Sequence, residues 1–359
     1  MINIKAAIIS MGSESSKMTA EAMKKYFDEV DEIDIKGLEV NISGNTEEIL
    51  YKGEKLKNYD CVYAKGSFRF SQVLRTITTI MQEHTYMPVK SEAFTVAHDK
   101  LLTHLMLQQY SIPMPKTYIS TTIQAARTVL SRMNYPIIMK FPQGTQGKGV
   151  MFADTFSSAS SILDALSALK QSFLIQEFID TGNSDIRAFV VGEKVVAAMI
   201  RKGKSDEKRA NMHAGATAEA IVLDDKTKEI AIKAAKATGS EICGVDILLS
   251  ARGPLVLETN ISPGLQGITN NTNIDVANLI AKHLYKRTTE RFSAKQEIQK
   301  KALMADVNNE GSIITNLDFR GGRILLSDLV TKLSKLKTED QVEIIMKKGY
   351  IKINKLNIS

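Results

Sequence analysis

Three oxygen-bearing side chains in one short stretch carry the clearest chemical signal. The segment CGVDILLSARGPLVLETNIS reads as two strands turning near Ala251–Pro254. With the turn centred near Arg252, Asp246 falls opposite Glu258, while Glu258 and Asn260, two apart, share a face. Carboxylates in an apolar strand pair are costly unless a cation or a partner neutralises them. Two carboxylates and an amide suit a hard cation, and magnesium carrying nucleotide phosphates is the usual occupant. The plain alternative is a hairpin whose polar residues face water.

Two further groups point toward phosphate. The run QGTQGKG, Gln143–Gly149, holds three glycines, which let backbone N–H groups approach oxygens closely. It is not a Walker A loop, since Gly149 stands where Ser or Thr would follow Gly-Lys, and it is not G-x-G-x-x-G. A flexible hairpin loop would look the same. Lys140 lies inside PIIMKF, a strand-like run in which a lysine needs an anion or a route to solvent. No evident Ser–His or Cys–His pair suggests a covalent enzyme intermediate.

The elements that must position these groups alternate along the first 90 residues. IKAAIISMG, VDEIDI and YDCVYAKG read as strands, and Ser16–Tyr26 and Ser71–Glu83 as helices, which argues for a parallel α/β layer. Asp99–Gln109 is expected to be helical, with Asp99 as N-cap and Leu101, Leu102, Leu105 and Met106 on its apolar face. IPMPKTYI is an extended link. A helix (Thr122–Met133), a strand (Pro136–Phe141), the glycine loop, a strand (Val150–Ala153), a helix (Ser158–Leu169) and a strand (Phe173–Phe178) follow. IRAFVVGEKVVAAMI is a hairpin around Gly192-Glu193, and Arg201–Asn211 a polar stretch. Lys226–Thr238 and Asp275–Tyr285 are helices. Beyond about residue 293 the pattern is strand (Gly311–Phe319), helix (Leu325–Leu336) and a β pair (Val342–Ile353) around Lys348-Gly349, a small appended module.

Composition narrows the class. With 359 residues, 43% hydrophobic and 24% charged, the chain is ordinary globular material and long enough for two or three domains. No apolar run reaches the roughly 18–20 residues of a membrane span, and the N-terminal apolar run reads as a buried strand rather than a signal peptide. A soluble cytoplasmic protein is expected. Cys61 and Cys243 match no metal or redox spacing and read as buried thiols. The net charge of +7, of which +4 lies from Lys295 onward, favours anionic partners. Nucleic acid is not expected, because the tail lacks an aromatic-interleaved basic patch.

Taken together and in order, YKGEKL, HDKLLTHLML, PIIMKFPQGTQGKGV, LIQEFI, SDIRAFVVGEKVVAAMIR, KRANMHAGA, CGVDIL, GPLVLETNISPGLQGI and NIDVANLI resemble the ATP-grasp superfamily, closest to its RimK-type glutamate ligases. The resemblance covers about residues 1–285. It implies an α/β chain with α+β lobes: a Rossmann-like pre-ATP-grasp domain (1–90), a central ATP-grasp lobe (91–178), a C-terminal ATP-grasp lobe with a metal site (179–292) and the add-on module (293–359). It implies ATP and two magnesium ions, with manganese as an alternative, and ADP-forming ligation of an amine to a carboxylate through an acyl phosphate. The incoming amine would be that of L-glutamate or another amino acid. The acceptor would be an anionic cofactor or a protein C-terminus. Oligomeric state is left open.

The same resemblance implies roles. Lys100 and Lys140 would contact phosphates, Lys140 near the adenine side. Gln143–Gly149, with Gly144, Gly147 and Gly149, would be the lid. Glu177, Phe178 and Ile179 would form the strand on which adenine docks, and Asp185 would hold the ribose. Arg187 and Arg209 would neutralise the transferred phosphoryl group, Asn211 would sit beside the nucleotide, and Asp246, Glu258 and Asn260 would hold the metal. Seen alone, the arginines also read as surface ion pairs, Asp185 as a turn residue, His98 as a helix-start residue and His213 as structural or substrate-facing. Ala214 stands where the family has arginine after the histidine of that loop. Lys65, with Arg69 nearby, stands where an arginine commonly ends the third N-terminal strand. Both departures bear on the acceptor. A biosynthetic ligase acting on a carrier protein and a non-catalytic ATP-binding regulatory module remain the rival readings.

Overall fold

The computed structural model describes residues 3–44, 46–142, 149–170, 172–203, 217–306, 318–321, 323–326, 330–331, 334–337 and 339–356. The chain divides into two compact units, Met1–Thr289 and Glu290–Ser359.

The first unit begins with β1 (Lys5–Ser10), α1 (Glu14–Met23) and β2 (Glu29–Asp34). A small antiparallel sheet, β3 (Leu38–Ser43), β4 (Thr46–Tyr51) and β5 (Glu54–Lys55), interrupts the alternation before β6 (Cys61–Ala64) and α2 (Ser71–Met81). The parallel layer expected from the sequence is the set β2-β1-β6. The β3–β5 sheet is absent from the sequence reading, although β3 (LEVNIS) alternates apolar and polar residues throughout; its partner β4 (TEEILY) does not alternate, and β5 is only two residues long. α1 starts earlier than expected because the Ser13 side chain accepts a hydrogen bond from the Ser16 amide.

α3 (Ala93–Val96) leads to α4 (Lys100–Gln109), where Asp99 accepts from the amides of Leu101 (2.9 Å) and Leu102 (3.1 Å). The buried face of α4 is Thr103, His104 and Leu107, not the leucine face read from the sequence; Leu105 is 50% exposed. β7 (Thr117–Ile119), α5 (Ile123–Ser131), β8 (Ile137–Lys140), β9 (Val150–Ala153), α6 (Phe156–Ala168) and β10 (Leu174–Glu177) build a sheet in the order β7-β10-β8-β9. Ile137, Met139 and Ile175 point to α5 and α6 and pack on Ala126, Leu130 and Leu163. By alternation, Ile138, Lys140, Leu174 and Gln176 take the other face.

The third layer is β11 (Ser184–Val191), β12 (Lys194–Lys202), β13 (Thr217–Ala220), α7 (Asp225–Ala237), β14 (Ile242–Ser250) and β15 (Gly253–Asn260). The sheet order is β13-β12-β11-β14-β15. Ile186, Ala188, Val190, Val245, Ile247 and Val256 face α7 in one buried cluster. α8 (Gln266–Thr272) and α9 (Val276–Asp306) follow. α9 is far longer than the helix expected at Asp275–Tyr285, and it runs past residue 293 without a break.

In the second unit β16 (Asp318–Arg320) pairs with β17 (Arg323–Leu325), and β18 (Val342–Lys347) with β19 (Tyr350–Lys355) through a turn at Lys348-Gly349. Leu325 closes a strand instead of opening the expected helix, and helical backbone appears at Val330, Thr331 and Ser334. Most of the strand expected at Gly311–Phe319 lies outside the described residues.

Candidate active site

The α7-facing residues of the third layer leave an opposite face carrying Asp185, Arg187, Arg201, Asp246, Glu258 and Asn260. Register brings them together: Arg187 lies across from Asp246, Asp185 from Arg201, and Asp246 from Glu258. Arg187 forks onto Asp246, its Nε donating to Oδ1 and its Nη2 to Oδ2 at 2.8 Å. Arg201 donates from Nε to Asp185 Oδ1 at 2.8 Å, from Nη2 to Asp185 Oδ2, and places the same Nη2 3.0 Å from Asp246 Oδ2. Bidentate guanidinium–carboxylate pairs are the strong, geometrically defined kind. Burial by itself would push the Asp246 carboxyl up; the two guanidiniums more than offset this and hold it at about 2. Gly244 leaves the room this requires, since a Cβ there would stand 3.1 Å from Arg187 Cδ and 3.2 Å from Pro263 Cβ.

Two residues expected at the nucleotide are engaged by protein partners. Asp185 is half-buried and engaged by Arg201 on both oxygens, each of which keeps a further lone pair. Arg187 likewise holds Asp246 rather than standing free for a phosphoryl group. Arg201 was read as the start of a polar stretch; it ends β12 with its side chain 12% exposed. The Gly192 turn alone would set Ile200 across from Asp185; a bulge between Phe189 and Val190 moves the register by one residue and brings Arg201 there.

Asn260 extends the carboxylate pair along β15 and accepts from the Ser262 amide through Oδ1 at 3.0 Å, which fixes its orientation. Glu258 titrates above the usual carboxylate range, first because protein surrounds it and then because Asp246 stands opposite. Its residue surface still reaches solvent, so the repulsion across the pair is the part that a bound cation relieves. Among the described residues no group of three or more His, Cys, Asp and Glu side chains is arranged as a metal site. The all-oxygen set of two carboxylates and an amide fits magnesium that keeps water and phosphate in its remaining positions.

Two lysines complete the electrostatics. Lys140 ends β8 at 5% exposure, and burial pulls its ammonium down to about 8 although the Glu258 charge works the other way. Among the described residues Lys140 forms no ion pair. Lys100 opens α4, its amide donating to the Pro142 carbonyl at 2.9 Å, and burial lowers its pKa too. Pro142 leads into the glycine loop. Gln143, Gly144 and Gly147 lie outside the described residues, as do Arg209, Asn211, His213 and Ala214. Gly149 closes the loop at φ +81°, and a Cβ there would come 2.2 Å from Phe141 Cδ2. Only glycine meets both conditions.

β10 ends at Glu177, so Phe178 and Ile179 continue beyond the strand rather than within it. Phe178 packs edge-on against Phe152 with centroids 5.4 Å apart. The Glu177 carboxylate turns away to accept from the Lys116 amide (2.7 Å) and from Arg252 Nη2 (2.6 Å), tying β10 to the β14–β15 turn. Arg252 served only as a turn centre in the sequence reading. Lys65, just beyond β6, is buried with its ammonium 5.5 Å from the Tyr63 ring centroid, and burial lowers it to about 8. Beside it the Gly66 amide donates to Ser262 Oγ at 3.1 Å, joining the parallel layer to the loop after Asn260. Cys61 and Cys243 are free and buried. No helix among the described residues is long and apolar enough to cross a membrane.

Known proteins share this architecture. A family model described as the RimK-like ATP-grasp domain matches residues 97–284. The chain is 37% identical over 296 residues to a probable alpha-L-glutamate ligase of Vibrio cholerae, covering 80% of this chain and 97% of that one. It is 38% identical over 286 residues to a protein of the same description from Cellvibrio japonicus, covering 78% and 95%. Among solved structures it resembles the ATP-grasp ligase PsnB complexed with a minimal precursor, Mg and ADP. That match has a TM-score of 0.62 and 20% identity, over 80% of this chain and 99% of that one. The chain belongs to the RimK-like family of ATP-grasp ligases.

Proposed function

We propose that the chain joins the amine of L-glutamate to an anionic carboxylate acceptor, a protein C-terminus or a small cofactor, with ATP as phosphoryl donor. The observation that carries this reading is the convergence of Asp246, Glu258, Asn260 and Arg187 on one sheet face near the half-buried Lys100 and the buried Lys140. Its direction comes from the 37% identity to proteins named probable alpha-L-glutamate ligases.

A carboxylate is a poor electrophile, because expelling oxide is prohibitive at neutral pH. Phosphorylation makes phosphate the leaving group, after which the amine lone pair attacks the carbonyl carbon and the amine gives up a proton. Two magnesium ions, held by Asp246, Glu258 and Asn260, would supply charge neutralisation at the phosphates. Lys100 and Lys140 bind phosphate oxygens, and Lys140, buried and short of a counter-charge, gains most from one. Arg187 and Arg209 neutralise the transferred group. With a cation on Asp246, Arg187 would be free to turn from that carboxylate toward phosphate oxygens. Arg201 would steady Asp185, whose remaining lone pairs would accept from the ribose hydroxyls, and Asn211 would contact the nucleotide. Glu177, Phe178 and Ile179 offer backbone to adenine, and Gln143–Gly149 shields the acyl phosphate from water. Lys65 meets the acceptor's negative charge at the C-terminal end of the parallel layer, where such sheets take ligands. Two reduced thiols fit a cytoplasmic setting.

Product analysis tests the reading. ADP and phosphate are expected, with hydroxylamine trapping a hydroxamate only when ATP, magnesium and acceptor are all present. AMP and pyrophosphate would mean an acyl adenylate and overturn it. In cell extract with each amino acid in turn, glutamate should add one glutamyl unit to the acceptor mass.

A further inference from the structure

Arg201 joins two carboxylates that serve different parts of the cleft. From β12 it forks onto Asp185 of β11, Nε donating to Oδ1 at 2.8 Å and Nη2 to Oδ2. The same Nη2 stands 3.0 Å from Asp246 Oδ2 on β14. The Arg201 side chain is 12% exposed and that of Asp246 4%, so salt and water screen these contacts little.

Asp246 has little acceptor capacity left. An ionised carboxylate offers about four lone-pair positions. Arg187 Nε takes one on Oδ1, while Arg187 Nη2 and Arg201 Nη2 meet on Oδ2. The surrounding charges point the same way. Arg187, Arg201, Lys100 and Lys140 act on Asp185, Asp246 and Glu258. Among the described residues this sets four cations against three carboxylates, one positive charge in excess. A divalent cation arriving alone meets an excess of its own sign and a carboxylate already held by two guanidiniums. A polyphosphate reverses both conditions: it gives Arg187, Lys100 and Lys140 a counter-charge and brings oxygen ligands of its own.

We propose that Arg201 is a positioning residue that denies Asp246 to a lone divalent cation, so that the cation is admitted together with the nucleotide's phosphates. This rests on the reading that magnesium and ATP share this cleft. Arg201 suits the role because its second partner stays in place. When a cation takes Asp246, Asp185 still holds Arg201 through Nε and Nη2, so the guanidinium is not left buried without a counter-charge. Opening Asp246 then displaces one contact of Arg201 and leaves the side chain where it is.

Manganese is the probe, and all titrations use the full chain at pH 7. Free manganese is read by its EPR signal, and the complex with protein and ADP by water-proton relaxation. Without nucleotide, wild type and Glu258→Gln should bind manganese alike, because the cleft takes none. With ADP, wild type should form the ternary complex and Glu258→Gln should weaken it. Arg201→Gln keeps a hydrogen-bond donor but loses the charge, and should bind manganese without nucleotide roughly tenfold or more tighter than wild type. Adding Glu258→Gln should abolish that gain. Arg201→Lys, which keeps the charge, should stay within about threefold of wild type. A merely structural role for Arg201 would lower the urea midpoint and leave manganese affinity unchanged. Unchanged affinity in folded Arg201→Gln overturns the proposal, as does a nucleotide-free manganese site in wild type that Glu258→Gln removes. Both results leave the ligase reading standing. Absence of the ternary complex in wild type overturns the proposal and the reading beneath it. Should Arg201→Gln fail to fold, Arg201→Met is read by the same comparison, and the wild-type titrations decide independently.

Discussion

Asp246 and Glu258 stand directly across the β14–β15 pair because Leu257 bulges out of the ladder. Near the turn the pairing is Ser250 with Gly253 and Ile247 with Val256, and the next pair is Asp246 with Glu258. An uninterrupted ladder would place Leu257 opposite Asp246 and turn Glu258 to the Val256 face, into the α7 core. The extra residue reverses the alternation, so Val256 stays buried and Glu258 joins the cleft.

The two carboxylates therefore fail differently when neutralised. Glu258→Gln removes a charge that repels Asp246 and reaches solvent, so the fold should hold while turnover falls by about two orders of magnitude or more, as losses of transition-state electrostatics do. Asp246→Asn leaves the Arg187 and Arg201 guanidiniums buried without their shared counter-charge, at a cost of about 3–5 kcal/mol. Urea unfolding and steady-state turnover on both variants separate the cases. Equal destabilisation by the two would contradict the asymmetry.

Gly149→Ala should act on the nucleotide rather than on the whole fold. Its φ of +81° would strain a side chain by about 1–2 kcal/mol, and the new Cβ would displace Phe141, the residue after Lys140. A raised KM for ATP with a modest loss in melting temperature is the expected result. An unchanged KM would mean that the loop exit does not set the position of Lys140.

How much of this was legible in the sequence depended on how local each signal was. Strand and helix periods placed β8, β10, β11, β14 and β15 within a residue or two, and the Asp246–Glu258 pairing was read correctly. That reading took the turn as centred on Arg252; the actual turn is Ala251–Arg252, and the bulge makes up the difference. The Arg201–Asp185 pair is not legible in the sequence because a bulge between Phe189 and Val190 shifts the register set by the Gly192 turn by one residue. The buried side of α4 was misjudged because His104 is held by hydrogen bonds across elements, which hydropathy does not encode. Arg252 and Glu177 meet across 75 positions of sequence, a contact no local pattern announces.

Truncation after Ser293 should preserve nucleotide chemistry. The anchor of α9 in the first unit is Ile280, Ala281, Leu284 and Thr288, all buried, and every described site residue lies before them. The second unit carries the basic excess and exposes Ile344, Met346, Ile351 and Ile353 on one face of its hairpin. We expect ATP binding within about twofold of wild type, together with either weaker acceptor use or a smaller assembly by light scattering. Unchanged acceptor kinetics and unchanged mass would remove any role for the unit in either.

The buried lysines predict an unusual pH response. Lys140 titrates at about 8 in the folded chain against 10.5 as its ordinary value, because burial disfavours the charge. Between those limits the unfolded chain binds more protons than the folded one, so stability rises with pH there. Below about 8 the full cost of burying the charge is present and constant, at most roughly 3 kcal/mol for such a shift. Lys65 should behave alike. The Cys61 and Cys243 thiols, pushed up to about 12, act in the opposite sense once unfolded thiols ionise, so wild type alone does not isolate the lysine. Comparison with Lys140→Met does. The variant should be more stable than wild type at pH 7 by on the order of 1–3 kcal/mol, with the gap closing toward pH 10 and nucleotide binding lost. Urea midpoints at pH 7, 8, 9 and 10 measure it, and a gap that does not change with pH would mean that Lys140 keeps an ordinary ammonium in the folded chain.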